Sequence, residues 1–276
     1  SFWILIVITL LISVWVGRMK RGIRDFSVYK SITRKDGKQK VTKSSVKFSH
    51  NFKPYILPIG IFCLFILISI FGSIPFNATR YASILPVTES DFSREIAESV
   101  GTESIALMDT DSAKMLGDRE IGSLSNLVSQ FNVSDSYSQI DFNGKPIKVS
   151  ALDYAGFFKW INNKNDGIPG YVTVDPVSMS ASFRSCSGMK YVPSAFFLED
   201  AYRHIYLKYP TTMFGNLHFE IDEEGNPYYI ASVYSREIAL FGGKTVTGCI
   251  ILDPVTGDID KYELADVPAW ADIVFD

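Results

Sequence analysis

The sequence predicts an α+β protein in which two N-terminal transmembrane helices precede an extracytoplasmic domain of helices packed on antiparallel sheets. Three observations carry that prediction. Two uncharged apolar runs, residues 2–16 and 56–76, fall within the first 76 positions. Between and around them, residues 17–55 hold twelve Lys/Arg against two acids, whereas residues 56–276 hold fifteen Lys/Arg against 28 Asp/Glu. Beyond residue 76, short β-rich runs and helical stripes are separated by turn residues, the pattern of helices laid on antiparallel sheets.

Residues 2–16 (FWILIVITLLISVWV) contain no charge, Gly or Pro. A bilayer core takes about 20 apolar residues at 1.5 Å rise each, so this run reads as a spanning helix shortened at its start; the chain opens on Ser1, not Met. The rival reading is a secretory signal peptide. There the basic residues precede the apolar run, and here they follow it. Residues 56–76 (ILPIGIFCLFILISIFGSIPF) make a run of spanning length. Pro58 and Gly60 are placed in its first turn, where Pro costs little, and Gly72 and Pro75 loosen its far end. A buried core helix is the competing reading.

Basic short loops stay on the cytoplasmic face of a membrane. That puts residues 17–55 inside and 77–276 outside, with the bilayer and its anionic headgroups as partners of the loop, at about 1 kcal/mol per basic residue near the surface. Lys/Arg runs also bind nucleic acid, but the position of this one between two membrane segments already accounts for it, so no nucleic acid is expected. Asp36-Gly37 suits a tight turn.

The outward part divides into residues 77–150 and 151–276. Residues 79–85 read as extended and 88–100 as an amphipathic helix with Phe92, Ile96 and Val100 on one face. Strands are expected at 105–108, 128–133, 139–142 and 146–149, the last two joined by Asn143-Gly144, a strong hairpin signal. Residues 153–163 read as a short helix, and 171–175 with 180–183 as a hairpin around Asp175-Pro176. A longer helix is expected over 194–209, with Ser194 as N-cap, a Phe197/Ala201/Ile205 stripe facing a sheet, and Pro210 ending it. Strands follow at 218–222, 228–234, 245–252 and 258–262, separated by turn chemistry at 223–226, 242–243 and 254–257.

Val174-Asp175-Pro176-Val177-Ser178 and Leu252-Asp253-Pro254-Val255-Thr256 are nearly one pentapeptide, 78 positions apart, each between apolar runs. The choice lies between an internal repeat and a coincidence of two common hairpin turns. A helix, then Phe219-Glu220-Ile221-Asp222-Glu223-Glu224-Gly225-Asn226-Pro227-Tyr228-Tyr229, then Ile251-Leu252-Asp253-Pro254-Val255-Thr256-Gly257-Asp258-Ile259, resembles the PepSY domain pattern over residues 194–263. Residues 153–183 resemble a degenerate first copy without the Thr-Gly ending. Asp109-Thr110-Asp111-Ser112-Ala113, Lys159-Trp160 and Gly167-Ile168-Pro169-Gly170-Tyr171 are similar to stretches of an uncharacterised membrane protein family of Gram-positive bacteria. The resemblance implies an extracytoplasmic sensory, inhibitory or assembly role and carries over no catalytic residue.

The chemistry-bearing inventory is thin. His50, His204 and His218 share no metal-ligand spacing, and no nucleophile elbow, Walker loop or dinucleotide fingerprint occurs. No catalytic residue, metal or cofactor is assigned. Asp109 and Asp111 open a calcium-like spacing, but Lys114 occupies the position that needs Gly. Glu220 and Asp222 share a strand face and are the weak metal candidates; a solvated acidic hairpin is the plainer reading. Cys186 and Cys249 could form a disulfide, worth about 3–5 kcal/mol unstrained, or remain two buried thiols. Cys63 lies in the second apolar run. Asn77 and Asn132 match the glycosylation acceptor and carry meaning only in a secreted eukaryotic chain. Tyr and Trp suit interfaces, so Trp160, Tyr171, Tyr202, Tyr206, Tyr228 and Tyr229 are the candidate binding residues.

The function expected is a non-catalytic, membrane-anchored binding or regulatory module of the cell envelope, partnered by another envelope protein. The alternatives are an envelope hydrolase or metal enzyme using Glu220 and Asp222, or a fragment of a multi-span transporter.

Overall fold

Small residues, turn signals and capping aspartates account for most of the chain's elements. In the computed structural model, residues 53–84, 91 and 106–275 are described; the expected first span, most of the basic loop and the helix expected at 88–100 lie outside them. Among the described residues are five α-helices and two antiparallel five-stranded sheets, an α+β fold. Two compact units are distinguished. One comprises the described residues up to Arg80 together with Ile238–Gly242, the other the remaining described residues from Tyr81 onward.

The first unit contains α1 (Lys53–Phe71) and α2 (Ile74–Ala82). No single described helix is long and apolar enough to cross a membrane, but Ile59–Phe71 and Ile74–Ala82 pass that test together, bent by 49°. The continuous span expected over 56–76 is therefore broken. The break falls at Gly72-Ser73, and Asn77 leaves the helical region at φ −135°. Its side-chain amide donates to the carbonyls of Phe71 at 2.5 Å and Ser73 at 3.2 Å, supplying the freed carbonyls with a partner. Because α1 begins at Lys53, Pro58 lies in its second turn, not its first.

The second unit is built twice on one plan. In the first copy, α3 (Thr110–Ser123) leads to a short β1 (Phe131–Val133), then β2 (Ser138–Phe142), β3 (Lys145–Tyr154), α4 (Phe157–Asn163), β4 (Ile168–Asp175) and β5 (Ser180–Met189). Both β1 and β2 pair with β3, at Phe131↔Tyr154 and Ser138↔Val149, and the order continues β3-β4-β5. In the second copy, α5 (Ala201–Lys208) leads to a short β6 (Met213–Phe214), then β7 (His218–Ile221), β8 (Pro227–Ile238), β9 (Gly242–Leu252) and β10 (Ile259–Glu263). There β6 and β7 both pair with β8, at Met213↔Tyr234 and His218↔Ile230, and the order continues β8-β9-β10. The copies differ at one joint: α4 bridges β3 and β4, where β8 and β9 are joined by a three-residue turn.

Local chemistry repeats with the topology. Asp109 caps α3 by accepting from Ser112 N at 2.7 Å, and Asp200 caps α5 by accepting from Arg203 N at 2.8 Å. The two pentapeptides fold alike. Asp175 Oδ1 accepts from Val177 N and Ser178 N at 2.8 and 3.0 Å, and Asp253 Oδ1 from Val255 N and Thr256 N at 2.7 and 3.2 Å. These side chains satisfy turn amides that no strand can reach.

Helix α3 lies on β1, β4 and β5 through Ala113, Gly117 and Ile121, while α5 buries Ala201 and Ile205. The sheets meet where β7 packs on β2 and β3, and the Tyr171 and Phe219 rings stand 5.5 Å apart. One main core joins both copies. A smaller one gathers Ile230, Cys249, Ile251, Ala271 and Val274 beneath the C-terminal segment.

Several expectations need correction. The division at 150/151 falls inside β3, which is paired on both sides, so the copies part between β5 and α5. Residues 106–109 are irregular, and only 131–133 of the run 128–133 is a strand, since 124–130 closes into turns. The helix expected at 153–163 begins at Phe157, after Gly156 takes φ +100°. The helix expected over 194–209 is a 3-10 turn at Phe197–Glu199 followed by α5. Ser194 accepts instead from Tyr154 N at 3.1 Å.

Candidate functional site

Among the described residues of the second unit, an exposed cluster of large apolar side chains grows from the α4 joint and the turn before α5. Gly156 redirects the chain after β3, and Phe157 and Phe158 then sit on the first turn of α4. Facing them, Phe196 precedes the 3-10 turn that carries Phe197 and Leu198. The rings interlock: Phe157 lies edge-on to Phe196 at 5.0 Å, and Trp160 is 5.5 and 5.7 Å from Phe196 and Phe197. Such tilted and edge-on pairs are the favoured aromatic geometries.

Trp160 is the floor of this cluster. It is 5% exposed, and its indole Nε1 donates to Glu199 Oε2 at 2.8 Å. Above it, Phe158, Phe197 and Leu198 are 77%, 61% and 66% exposed. Phe197 also holds φ +57°, a left-handed conformation that a bulky side chain adopts only against strain. The position is fixed from both sides: Arg203 Nη1 donates to Phe197 O at 2.9 Å, and Val192 forms a bridge with Asp200. The backbone thus spends strain to hold an aromatic ring outward. Lys164 Nζ stands 5.5 Å from the Trp160 ring, giving the patch a basic edge. Contiguous exposed apolar surface of this kind marks interaction sites; burial of Phe158, Phe197 and Leu198 by a partner is worth about 1.5–3 kcal/mol per side chain.

Of the six residues singled out in the sequence, only Trp160 belongs to this patch. Tyr171 and Tyr229 are core residues. The Tyr171 hydroxyl donates to Gly225 O at 2.8 Å, and burial raises the proton affinity of both phenols. Tyr202 and Tyr206 flank Phe214, and the Tyr202 hydroxyl accepts from Leu217 N at 3.1 Å. Tyr228 packs against Trp270, the rings tilted and 4.8 Å apart. The structure therefore does not gather the tyrosines on one sheet face. Phe157, Phe158, Phe196 and Leu198 were overlooked, and Phe197 was assigned to the core. Their signal was two Phe-Phe pairs, each at a loop-to-helix junction.

The acidic hairpin is solvated only at its turn, where Glu223 and Glu224 are exposed, whereas Glu220 and Asp222 are buried. Glu220 is wholly buried and accepts from Asp272 N at 2.9 Å and Ile273 N at 2.8 Å. Burial pushes its carboxyl up to about 7, against the opposing pull of those two amides. Asp222 is also buried, and accepts from Glu224 N, Asn226 N and Asn226 Nδ2 at 3.1, 2.7 and 2.8 Å. Each carboxylate is thus committed to its own backbone: Glu220 holds the C-terminal segment and Asp222 shapes the β7–β8 turn. No group of three metal-ligating side chains occurs among the described residues. Cys186 on β5 and Cys249 on β9 are unbonded and belong to different sheets; burial pushes each thiol up to about 11, away from the thiolate a nucleophile needs. His204 Nε2 is 2.8 Å from Gly257 O, with its ring against Tyr191.

A concavity of about 480 Å³ is lined by Tyr171, Thr173, Ser182, Arg184 and Glu224, among others. It is polar and presents hydroxyls beside a guanidinium, a surface for hydrogen bonding. No family model, curated protein or solved structure matches the chain.

Proposed function

We propose that the protein is a membrane-anchored, extracytoplasmic binding module of the cell envelope that acts without catalysis, its outward domain assembled from two PepSY-like α+β units. The aromatic patch around Trp160 carries the binding part: a strained Phe197 held outward beside Phe158 and Leu198. A second envelope protein is the partner that this surface fits, because aromatic anchors in a desolvated centre dominate protein interfaces.

The anchor is residues 56–76, with residues 2–16 as a second span, the basic loop of 17–55 inside and residues 77–276 outside. In support, Ile59, Leu64, Leu67 and Phe71 are all half-exposed or more on α1, as lipid-facing side chains are. The helix–strand plan repeated in both copies and the matched Asp-Pro turns support the PepSY-like reading.

The test is crosslinking and affinity purification of the full chain from its native membrane, beside a Phe158→Ser/Leu198→Ser variant. A stoichiometric partner that the wild type retains and the variant loses, with unchanged unfolding behaviour, is the expected outcome. Equal recovery of every partner by both chains overturns the assignment of this patch.

A further inference from the structure

Ile238, Ala239, Leu240, Phe241, Gly242 and Gly243 form an uncharged stretch at the β8–β9 turn, bounded by Arg236-Glu237 before it and Lys244 after it. Hairpin tips in water are built from Gly, Asn, Asp and Pro. Here Leu240 and Phe241 occupy the tip and are 56% and 43% exposed. Two positive φ angles, +51° at Ala239 and +61° at Gly243, fold the chain tightly enough to project them.

The tip belongs with α1. Residues Ile238–Gly242 fall in the same compact unit as the apolar helix. The Phe241 ring lies 6.0 Å from the Phe65 ring. At Gly72 a Cβ would stand 3.0 Å from Ala239 Cβ and 3.1 Å from Ile68 O, so glycine is what lets the turn approach the helix. Phe65 is six residues before the end of α1 at Phe71, so the contact extends about 9 Å along the axis from that end. A side chain beside Phe65 shares whatever surrounds Phe65.

We infer that the β8–β9 tip is inserted among the lipid acyl chains beside α1, with Leu240 and Phe241 in the hydrocarbon and Arg236, Glu237 and Lys244 as a charged collar at the headgroups. The inference rests on the proposed membrane anchoring of α1. Its occupant follows from continuity: the apolar surface of the tip extends the apolar surface of the helix it touches. The tip's exposed area then needs no protein partner, and its lack of charge suits a region where charged side chains are expensive.

The full chain, with a benzophenone amino acid at position 240, 67 or 158 in turn, is reconstituted in vesicles of phosphatidylcholine and phosphatidylglycerol and irradiated, and adducts are read by mass spectrometry. Lipid adducts at both 240 and 67, with their loss from 158, are expected. Adducts at 67 without adducts at 240 overturn the inserted tip while leaving the anchor intact. No lipid adduct at either position overturns the anchor and the tip together. A protein adduct in place of lipid at 240 assigns the tip to a protein partner and also overturns the inference. Leu240 is more than half exposed, so the probe does not disturb packing; the same probe at 241 repeats the measurement on the neighbouring side chain.

Discussion

Replacing Glu220 with Gln separates two opposing effects on one buried carboxylate. Removal from water disfavours its charge, while the amides of Asp272 and Ile273 favour it. Burial wins in this setting: the carboxyl is pushed up to about 7 from an ordinary 4.5. A group whose proton affinity rises on folding adds stability that is complete below the unfolded value and is lost as pH climbs through the folded one. For Glu220 that window runs from pH 4.5 to about 7. At 1.36 kcal/mol per tenfold change in proton affinity, the contribution lost across it is about 3 kcal/mol. The Gln side chain keeps one carbonyl acceptor but turns an NH₂ group toward the second amide, which costs about 1–3 kcal/mol at every pH. The variant is therefore the less stable chain in acid, and because the wild type loses about 3 kcal/mol as pH rises through the window, the gap closes or reverses at its upper end. Chemical unfolding of the detergent-solubilised full chain measures this, with amide exchange at Asp272 and Ile273 as a local readout. Parallel stability curves for the two chains would refute the reasoning, because they would mean that the two amides offset burial in full. The other groups near Glu220 are the Asp272 carboxylate and the Cys249 thiol. Asp272 accepts from Asp141 N on β2 at 2.6 Å.

Glycine substitutions sort by space. Gly188→Ala places a Cβ 1.6 Å from Asp166 O, a backbone clash that destabilises by about 3 kcal/mol or more or prevents folding. Gly122→Ala on α3 meets nothing within 4 Å and stabilises by about 0.5–1 kcal/mol in the same unfolding assay. Glu199→Ala strands the buried indole N–H of Trp160 and costs about 1–3 kcal/mol, with a change in tryptophan emission as its signature. Asp200→Ala removes the α5 cap and costs about 1 kcal/mol by denaturant titration.

What was legible in the sequence was local. Asn143-Gly144 takes positive φ at both positions, as a tight hairpin needs, and the two Asp-Pro turns form where they were placed. Most strands were recognisable because alternation and turn residues are written within ten positions of each other. Helix α3 was not, since the residues it buries are Ala113, Gly117 and Ile121, and small side chains leave no apolar stripe. Glu220 read as surface because the segment that covers it lies some fifty positions away. Phe197 read as core because its spacing with Ala201 and Ile205 matched a helix. The helix starts later, and the positive φ at Phe197 turns the ring away from the core. Burial set by distant covering segments and orientation set by strained backbone leave no periodic trace.

The doubled plan of the second unit has one point of divergence, the joint between its third and fourth strands in each copy. One joint carries α4 with its outward Phe158, the other carries Leu240 and Phe241. Both apolar projections thus occupy equivalent seats on equivalent scaffolds. A joint tolerates change without disturbing the ladders on either side of it. Exchanging those two loops is therefore the change that would relocate either apolar projection while keeping both sheets.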